Sequence, residues 1–567
     1  MRHGNTRRRG FGFAALVFLA FASPIVRAEI KIDYSYVDKK SAAYDRFKGW
    51  VDTALSGNPG YEFSATDAVT MFRLTNDAKY CDYAVAMMQK QADDATAAIA
   101  GGKNPEVAGD SYLQSGPMIS ALALTYDACR AKMTDAQRTQ WAGYAERTIA
   151  NIWSPNSAKW GERSAPWTGW SIDNPGNNYY YSFVEATMHW GLASNNETWL
   201  KLLRENKLPA LEAYFAKLKG GGSLEGTGYG TAQMRLFEIY RVWKDSTGVD
   251  LATANPHLND TLIFWTHATV PTLDRFAPIG DQSRSSMPEL FDYHRRLMLG
   301  GRALSNDEKA KAVSSWWLNS ISVKQMRHGF NFRYDLLPAG DVHKPPAELI
   351  YVATGTGHVF ARTGWDKDAA WLAFTAGPYV ESHAHQDQGS FTFFSGDWLA
   401  VSENVWSHSG IQQGTDVQNV VRFVRDGKTI RQREPTTSKL QVTSTGPAPG
   451  EVHASADLGP AFGSGSGVSA WKRTIDFVGH KLTVHDTFAR TPGTQAIFQV
   501  NVPVKPEIKG SEATAGRLRV KVLSPADAKL TALDFSTLDK DEFRSGWRLD
   551  VEGSGDEFVV ELTDDAH

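Results

Sequence analysis

Cysteine is almost absent from the chain, which has only Cys81 and Cys129 among its 567 residues. The two residues do not have the close spacing of zinc or redox motifs, so they predict no such centre. Both lie in segments with helical periodicity. In an exported protein they are compatible either with one disulfide or with two buried thiols.

Long apolar runs are also missing, apart from residues 11–22. That run follows a cluster of arginines and precedes Val26-Arg27-Ala28, an acceptable small-x-small cleavage site. It is too short for a membrane span and predicts a secretory signal peptide over residues 1–28. We therefore expect export to the periplasm or beyond, with no membrane insertion of the mature chain.

An excess of positive charge is the third missing feature. The formal net charge is -3, and removal of residues 1–28, with five arginines and no acid, moves it to about -8. This balance excludes a generally basic nucleic-acid binder, so no nucleic-acid partner is expected. The 18 Trp and 49 Gly residues suit stacking on sugars and a large β-rich core equally well.

Two kinds of periodicity divide the sequence. Apolar residues at i, i+3 and i+4 predict helices that pair into a toroid or solenoid; the segments are 77–92, 116–131, 134–152, 178–193, 197–217 and 231–244. Alternating runs after residue 347 predict a large antiparallel β-sandwich; the segments are 358–362, 370–376, 390–394, 398–402, 417–424, 470–477, 481–488, 494–502, 517–523, 547–551 and 557–562. The boundary is expected near residues 338–346.

The segment 381–404 stands out early in the second half, because His383, His385 and Asp387 alternate before an aromatic run. On a strand, residues i and i+2 point to the same face. The spacing therefore predicts that these three side chains project from one strand into one cleft. The alternative is a solvated entry to a strand, with two exposed histidines.

Aromatic, amide and glycine-rich loops in the helical half supply further candidates. Residues 159–170 include Trp167 and Trp170, which suit either stacking on sugars or a packed aromatic loop. Asn178 and Tyr179 begin a predicted helix, where Asn either caps the helix or binds a ligand carboxylate. Six glycines in residues 220–230 allow close approach of a ligand to the backbone around Tyr229.

An amide, a phenol and an imidazole together suit β-elimination from a uronic acid. A donor on the sugar carboxylate stabilises the enolate that forms when the C5 proton is removed. A base takes that proton and an acid protonates the departing O4. This chemistry needs no cofactor in principle.

The motifs resemble those of the heparinase II/III-like polysaccharide lyases. The similarity lies in Arg-Thr-Gly-Trp from Arg362, in His-Ala-His-Gln-Asp-Gln-Gly-Ser-Phe from His383, and in Glu-Gly-Thr-Gly-Tyr-Gly from Glu225. It implies an N-terminal (α/α) toroid over residues 29–340 and a C-terminal antiparallel β-sandwich over 347–567. The polymer would lie in the groove between them.

The resemblance also implies roles for individual residues. Asn178 would neutralise the uronate carboxylate, Tyr229 would be the general acid and a candidate base, and His383 would be the second base candidate. Substrate contacts are expected from these residues: Tyr179, Trp167, Trp170, Glu225, Arg235 and Arg362.

Two positions depart from the family pattern. Tyr179 stands where members often have a histidine, which puts the partner of Asn178 in doubt. Some members hold a structural zinc through the second histidine of the motif, a later acid and a later histidine. Here His385 is present and Glu403 or Asp397 could supply the acid, but the later position is Gln418, for which His408 could substitute only if its loop bends back.

We therefore expect an exported lyase that cleaves a uronic-acid-containing polysaccharide. Alginate, a glycosaminoglycan and a glucuronate-containing exopolysaccharide all stay open as substrates. One alternative is a glycoside hydrolase, which needs two carboxylates at one bond, for which Glu225 and Asp173 are the candidates. The other is a glycan-binding protein without catalysis.

Overall fold

The computed structural model describes residues 29–282 and 288–566. The predicted signal peptide lies outside the described residues. Within them, helices occupy the first part and strands the second, and the change falls between Leu336 and Ile350. A helical region followed by antiparallel sheets confirms the predicted fold class, whereas the exact division at residues 340 and 347 stays a prediction.

Twelve α-helices lie among the described residues. They are α1 Ala42–Leu55, α2 Ala65–Thr75, α3 Ala78–Ala100, α4 Ser115–Ala128, α5 Asp135–Trp153, α6 Asn178–Ser194, α7 Glu197–Leu202, α8 Leu208–Phe215, α9 Gln233–Thr247, α10 His257–Ala268, α11 Asp292–Leu304 and α12 Glu308–Ser320. A π-helical turn joins α7 to α8, and a 3-10 segment, Gly329–Leu336, ends the helical region.

The helices form a closed ring. Contacts run from α2 to α4, α6, α9 and α11, then through the 3-10 segment Gly329–Leu336 to α1 and back to α2. Because an antiparallel helix separates each pair of inner helices, the inner helices run parallel and begin at the same end of the ring. We call this end the rim. Capping boxes at Ser64 and Thr134 define the starts of α2 and α5.

The two cysteines form a disulfide that ties the outer helix α3 to the end of α4. This settles the choice that the sequence left open. The disulfide closes a loop of 48 residues, which restricts the unfolded chain and stabilises the ring.

The strands are β1 Lys159–Trp160, β2 Arg163–Ser164, β3 Ile350–Ala353, β4 His358–Arg362, β5 Ala370–Thr375, β6 Pro378–Tyr379, β7 Phe391–Ser395, β8 Asp397–Ala400, β9 Val421–Arg425, β10 Lys428–Thr429, β11 Thr436–Thr437, β12 Lys439–Thr445, β13 Val452–Asp457, β14 Val468–Val478, β15 Lys481–Arg490, β16 Thr494–Val502, β17 Glu507–Lys509, β18 Glu512–Ala515, β19 Leu518–Ser524, β20 Lys529–Asp534, β21 Trp547–Glu552 and β22 Glu557–Asp564. An eight-stranded sheet has the order β12-β13-β14-β15-β22-β19-β18-β17. Two five-stranded sheets have the orders β3-β4-β5-β7-β8 and β10-β9-β16-β21-β20.

The sheet β3-β4-β5-β7-β8 is buried on both faces. Val359 and Leu372 join the sandwich core shared with the other two large sheets, whereas Phe360 and Trp371 belong to the core of the helical ring. The alternation follows the pleat of a strand. This sheet therefore fixes the sandwich to the ring and places the loop between β6 and β7 over the rim.

The predicted strand through His383, His385 and Asp387 is wrong. These residues lie in an irregular loop, and strand β7 begins only at Phe391. The side chain of Asp387 is buried, and burial raises the pKa of its carboxyl to about 6. The predicted strand over the aromatic residues that follow is confirmed.

None of the helices in the described ranges is long and apolar enough to cross a bilayer. This agrees with the absence of a second apolar run in the sequence.

Candidate active site

The rim brings together two of the three residues predicted to act in catalysis. The rings of Tyr229 and His383 are stacked, with centroids 3.6 Å apart and planes inclined by 11°. Tyr229 begins a 3-10 turn, Tyr229–Ala232, before α9, and His383 comes from the β6–β7 loop of the sandwich. The stack therefore joins the two halves of the protein.

A carboxylate that the sequence analysis missed holds His383 in place. Asp281 Oδ2 lies 2.9 Å from His383 Nδ1, and Asp281 Oδ1 lies 2.9 Å from His385 Nε2. Gln413 Nε2 donates to both oxygens of the same carboxylate. Burial disfavours the ionised form of Asp281, but the hydrogen bonds from the two histidines outweigh it and hold the pKa at about 2.

The hydrogen bonds give the two histidines different tautomers. His383 donates from Nδ1 to the carboxylate, so its Nε2 keeps a lone pair in the neutral form. Gln418 Nε2 donates to His385 Nδ1 over 3.1 Å, which leaves His385 Nε2 as the donor to Asp281. The side chain of His383 is 21% exposed and that of His385 only 2%. His383 alone of the pair is therefore available to a ligand.

Asn178 lies at the first turn of α6. Its neighbour Asn177 is the cap, with its side-chain oxygen accepting from the Tyr179 N–H over 3.0 Å. The side-chain oxygen of Asn178 is buried and accepts no hydrogen bond from the described residues. Since the capping role belongs to Asn177, the amide of Asn178 is left for another function.

Two buried acids support this end of α6. Asn177 Nδ2 donates to Glu225 over 3.2 Å, and Glu381 accepts from Asn174 and from Tyr214. Burial raises the pKa of both carboxyls, and the charge of Glu381 raises that of Glu225 further. Glu225 is only 1% exposed, so it supports the asparagines from below. It does not face a ligand, which corrects its predicted role as a substrate contact.

The phenol of Tyr229 lies among acids. Burial raises its pKa, and the charges of Asp281, Glu225 and Asp110 add to the effect. Each of these influences favours the protonated phenol. Tyr229 is consequently a better proton donor than proton acceptor at neutral pH.

The aromatic residues predicted to contact the substrate differ in their exposure and in their packing. Tyr179 donates from its hydroxyl to Asp110 over 2.8 Å. Trp167 is half-buried against Tyr112 and donates to the Asn151 carbonyl, whereas Trp170 is 48% exposed. The packed-loop interpretation thus fits Trp167, and the ligand interpretation stays a prediction for Trp170 and Tyr179.

The two predicted arginine contacts do not join the stack. Arg362 is 0% exposed and donates to the carbonyls of His267 and Thr269 between the ring and the sandwich. Since both faces of its sheet are buried, its predicted role in substrate binding is wrong. Arg235 is half-buried on α9 and acts electrostatically on Arg296, and its role in binding stays a prediction.

The expected zinc ligands do not fit a metal ion. His385 uses both ring nitrogens for Asp281 and Gln418, as described above. Glu403 has no hydrogen-bond partner and lies against Gly546, and burial raises its pKa to about 10. Across residues 29–282 and 288–566, no three or more His, Cys, Asp or Glu side chains are grouped to hold a metal.

Known proteins resemble the chain in structure but not detectably in sequence. No protein-family model matches it, and no curated protein matches its sequence. Heparan sulfate lyase HepC from Pedobacter heparinus superposes with a TM-score of 0.58 at 13% identity, over 94% of this chain and 85% of that one. A heparinase III gives 0.59 at 11% identity, over 92% and 84%. Another heparinase III gives 0.58 at 12% identity, over 95% and 86%.

These superpositions extend over both the helical ring and the β-sheets. At such low sequence identity, the superpositions show similarity of the fold alone. This chain therefore has the toroid-and-sandwich fold of the heparan sulfate lyases, and the resemblance indicated by its motifs is confirmed at that level.

Proposed function

We propose that the protein is a polysaccharide lyase that cleaves a uronate-containing polymer by β-elimination. The observation that carries the proposal is the stack of Tyr229 on His383, with Asp281 behind the imidazole. The stack places a proton donor and a proton acceptor side by side at the junction of ring and sandwich. The free amide of Asn178 lies on the same rim.

His383 is the base in this proposal. Its Nε2 lone pair takes the C5 proton of the uronate, while Asp281 accepts from Nδ1 and stabilises the imidazolium that results. The electrons of the C5–H bond form the C4=C5 double bond as the C4–O4 bond breaks. Asn178 donates from its amide to the sugar carboxylate, where negative charge develops.

Tyr229 is the acid. Its raised pKa keeps the phenol protonated, so it can protonate O4 as the glycosidic bond breaks. Proton exchange with solvent then restores the neutral imidazole and the neutral phenol. The products are one new nonreducing end with an unsaturated uronate and one ordinary reducing end.

The arrangement favours particular uronate epimers. Because the acid and the base belong to one stack of two rings, they approach the sugar from one side. Elimination with both groups on one side requires C5–H and O4 to lie on the same face of the ring, as in D-glucuronate and D-mannuronate. We therefore propose polymers of these units as substrates, ahead of those of L-iduronate or L-guluronate.

The charges around Tyr229 also favour some classes of substrate over others. The acids near the Tyr229 phenol include Asp281, which stays ionised, and Asp110. A densely sulfated chain would be repelled there, whereas a chain with one carboxylate per unit can be neutralised by Asn178. The disulfide is of a kind that persists outside the cytosol, and it supports the proposed export to the periplasm or beyond.

Absorbance at the wavelength of the conjugated C4=C5 double bond tests the function directly. Wild-type protein should produce rising absorbance with a glucuronate or mannuronate polymer, and Tyr229→Phe should lower kcat at least about 10³-fold. Tyr83→Phe, on the outer helix α3, is the matched control and should behave as wild type. New reducing ends without absorbance would overturn the lyase proposal.

The hydrolase alternative has less support. Glu225 is almost fully buried, whereas the side chain of Asp173 is 83% exposed and forms a salt bridge with Lys207. Two carboxylates in such different environments do not flank one glycosidic bond. Polymer binding without any cleavage would instead indicate the non-catalytic alternative.

A further inference from the structure

A second aromatic surface lies on the rim, separate from the Tyr229–His383 stack. Six side chains contribute most of its lining: Tyr61, Phe291, Tyr293, Arg327, His328 and Phe330. They surround an open cleft of about 380 Å³. We call it the aromatic cleft.

Two of the rings in the cleft, those of Tyr61 and His328, are exposed to solvent, and Phe291 and Phe330 are half-buried beside them. Tyr61 is 72% exposed and meets Phe330 edge to face, with centroids 6.0 Å apart. The ring of His328 stacks on Phe330 at 5.6 Å. Packing in the core does not account for the exposed rings of Tyr61 and His328, and aromatic surface that is open to solvent next to half-buried rings is typical of a binding site.

The position of the cleft links it to the catalytic stack. Tyr61 precedes the start of α2, and Phe291 precedes the start of α11, so the cleft lies on the same rim as Asn178 and Tyr229. Helix α11 also contacts the 3-10 turn that begins at Tyr229. Asp281 holds His383, and Glu289 lines the cleft eight residues later, so the two are at most about 28 Å apart.

We propose that the aromatic cleft is a distal subsite that binds a sugar unit of the same acidic polysaccharide. This rests on the proposed function of the catalytic stack. The apolar face of a sugar ring packs against Tyr61 and Phe330. The polymer chain continues along the rim to the stack.

The charges of the cleft suit one acidic group on that sugar. Arg327 is exposed and contacts only the Ser322 carbonyl, at 3.4 Å, among the side-chain bonds described, so its remaining N–H groups face outward. The nearby Asp292 carboxylate is buried and already accepts from the backbone N–H groups of Arg327 and His328. Glu289 is the exposed acid of the lining. The exposed Arg327 and the exposed Glu289 together favour a sugar ring with one carboxylate over a sugar ring with several charged groups.

Binding of long and short substrates to a catalytically silenced protein tests the subsite. In a Tyr229→Phe background, Tyr61→Ala should weaken binding of the long polymer about 5- to 10-fold. It should leave binding of a disaccharide of the same polymer unchanged. Leu538→Ala, which removes a side chain 60% exposed on the sandwich, is the matched control. Equal loss for the disaccharide, or no loss for the polymer, would overturn the subsite.

Turnover by otherwise wild-type protein separates the two proposals. Tyr61→Ala should raise KM for the long polymer with kcat unchanged. If unsaturated ends appear but Tyr61→Ala changes neither KM nor binding, the lyase stands and the subsite is wrong. If no unsaturated ends appear yet Tyr61→Ala weakens polymer binding, the subsite stands and the lyase is wrong. A wild-type protein that binds no polymer would overturn both.

Discussion

The contact between ring and sandwich has a sealed part and an open part. In the sealed part, Arg362 donates to the carbonyls of His267 and Thr269 and lies 3.7 Å from the centre of the Trp365 ring. In the open part, Asp281 holds His383 against Tyr229. In each part, a polar side chain of the sandwich contacts the ring. Arg362 is buried in the sealed part, whereas His383 is accessible in the open part.

Burial gives the two parts opposite electrostatic behaviour. Burial lowers the pKa of Arg362 to about 9, and it lowers the pKa of His267 well below its usual range, with Arg362 adding to that effect. Asp281 is also buried, but its hydrogen bonds from histidine side chains keep it ionised. Burial in the sealed part therefore disfavours the ionised forms of Arg362 and His267. In the open part, hydrogen bonds keep Asp281 ionised next to the proposed base.

Among the three changes that test this comparison, Asp281→Asn should have the largest effect on turnover, because Asp281 holds the proposed base in the open part. An amide has one acceptor oxygen, whereas two histidines and Gln413 all donate to the carboxylate. His383 should lose its fixed tautomer, and kcat on the uronate polymer should fall about 10²-fold. Asp110→Asn removes a neighbouring negative charge without touching His383 and should change kcat far less. Equal losses in the two variants would show that charge, and not the tautomer, is what matters.

Arg362→Met should break the sealed part and lower stability. The buried Thr269 carbonyl would lose its donor, whereas the His267 carbonyl keeps its hydrogen bond from Trp371 Nε1, so the free energy of unfolding should fall by about 1–3 kcal/mol. Denaturant unfolding measures it, with the exposed Arg425→Met as the control. The folded variant should keep the wild-type KM. A large rise in KM without loss of stability would return Arg362 to the list of substrate contacts.

Glu403→Gln should have the smallest effect on turnover of the three changes, and its effect on stability should depend on pH. The folded carboxyl, with a pKa of about 10, keeps a proton that the unfolded chain releases near pH 4.5. Glu403 therefore costs stability as the pH rises above that value. The variant should be more stable than wild type by up to about 5 kcal/mol at pH 8 and equally stable at pH 4. The same difference at both pH values would mean that Glu403 is ionised in the folded protein.

The sequence predicted the fold well because periodicity reports local structure. The helical spacing before residue 336 and the alternation after residue 350 correspond to the ring and the sheets. The alternation of polar residues over His383–Asp387 led to the wrong prediction of a strand, because the same spacing occurs here in an irregular loop. The role of Arg362 came from the family resemblance, which does not report that both faces of this sheet are buried.

The candidate site was predictable only where a motif carried it. Tyr229 and His383 were found through motifs, and the structure brings them together. Asp281 was missed because it lies in an irregular segment, 102 residues before His383, with no periodic signal around it. The contribution of Gln418 could not be seen either, since its meaning depends on the nitrogen of His385 that it reaches.

The closed ring has a consequence for how the protein is made. Its joint lies between the first helices and the 3-10 segment Gly329–Leu336, where Arg46 pairs with Asp335 and Arg333 with Asp67. The helical hairpins have local contacts and can form early, but this joint links residues 289 and 266 positions apart. The ring can therefore close only after its last segment, Gly329–Leu336, has been synthesised. Export before folding would let the whole chain be present when the joint closes.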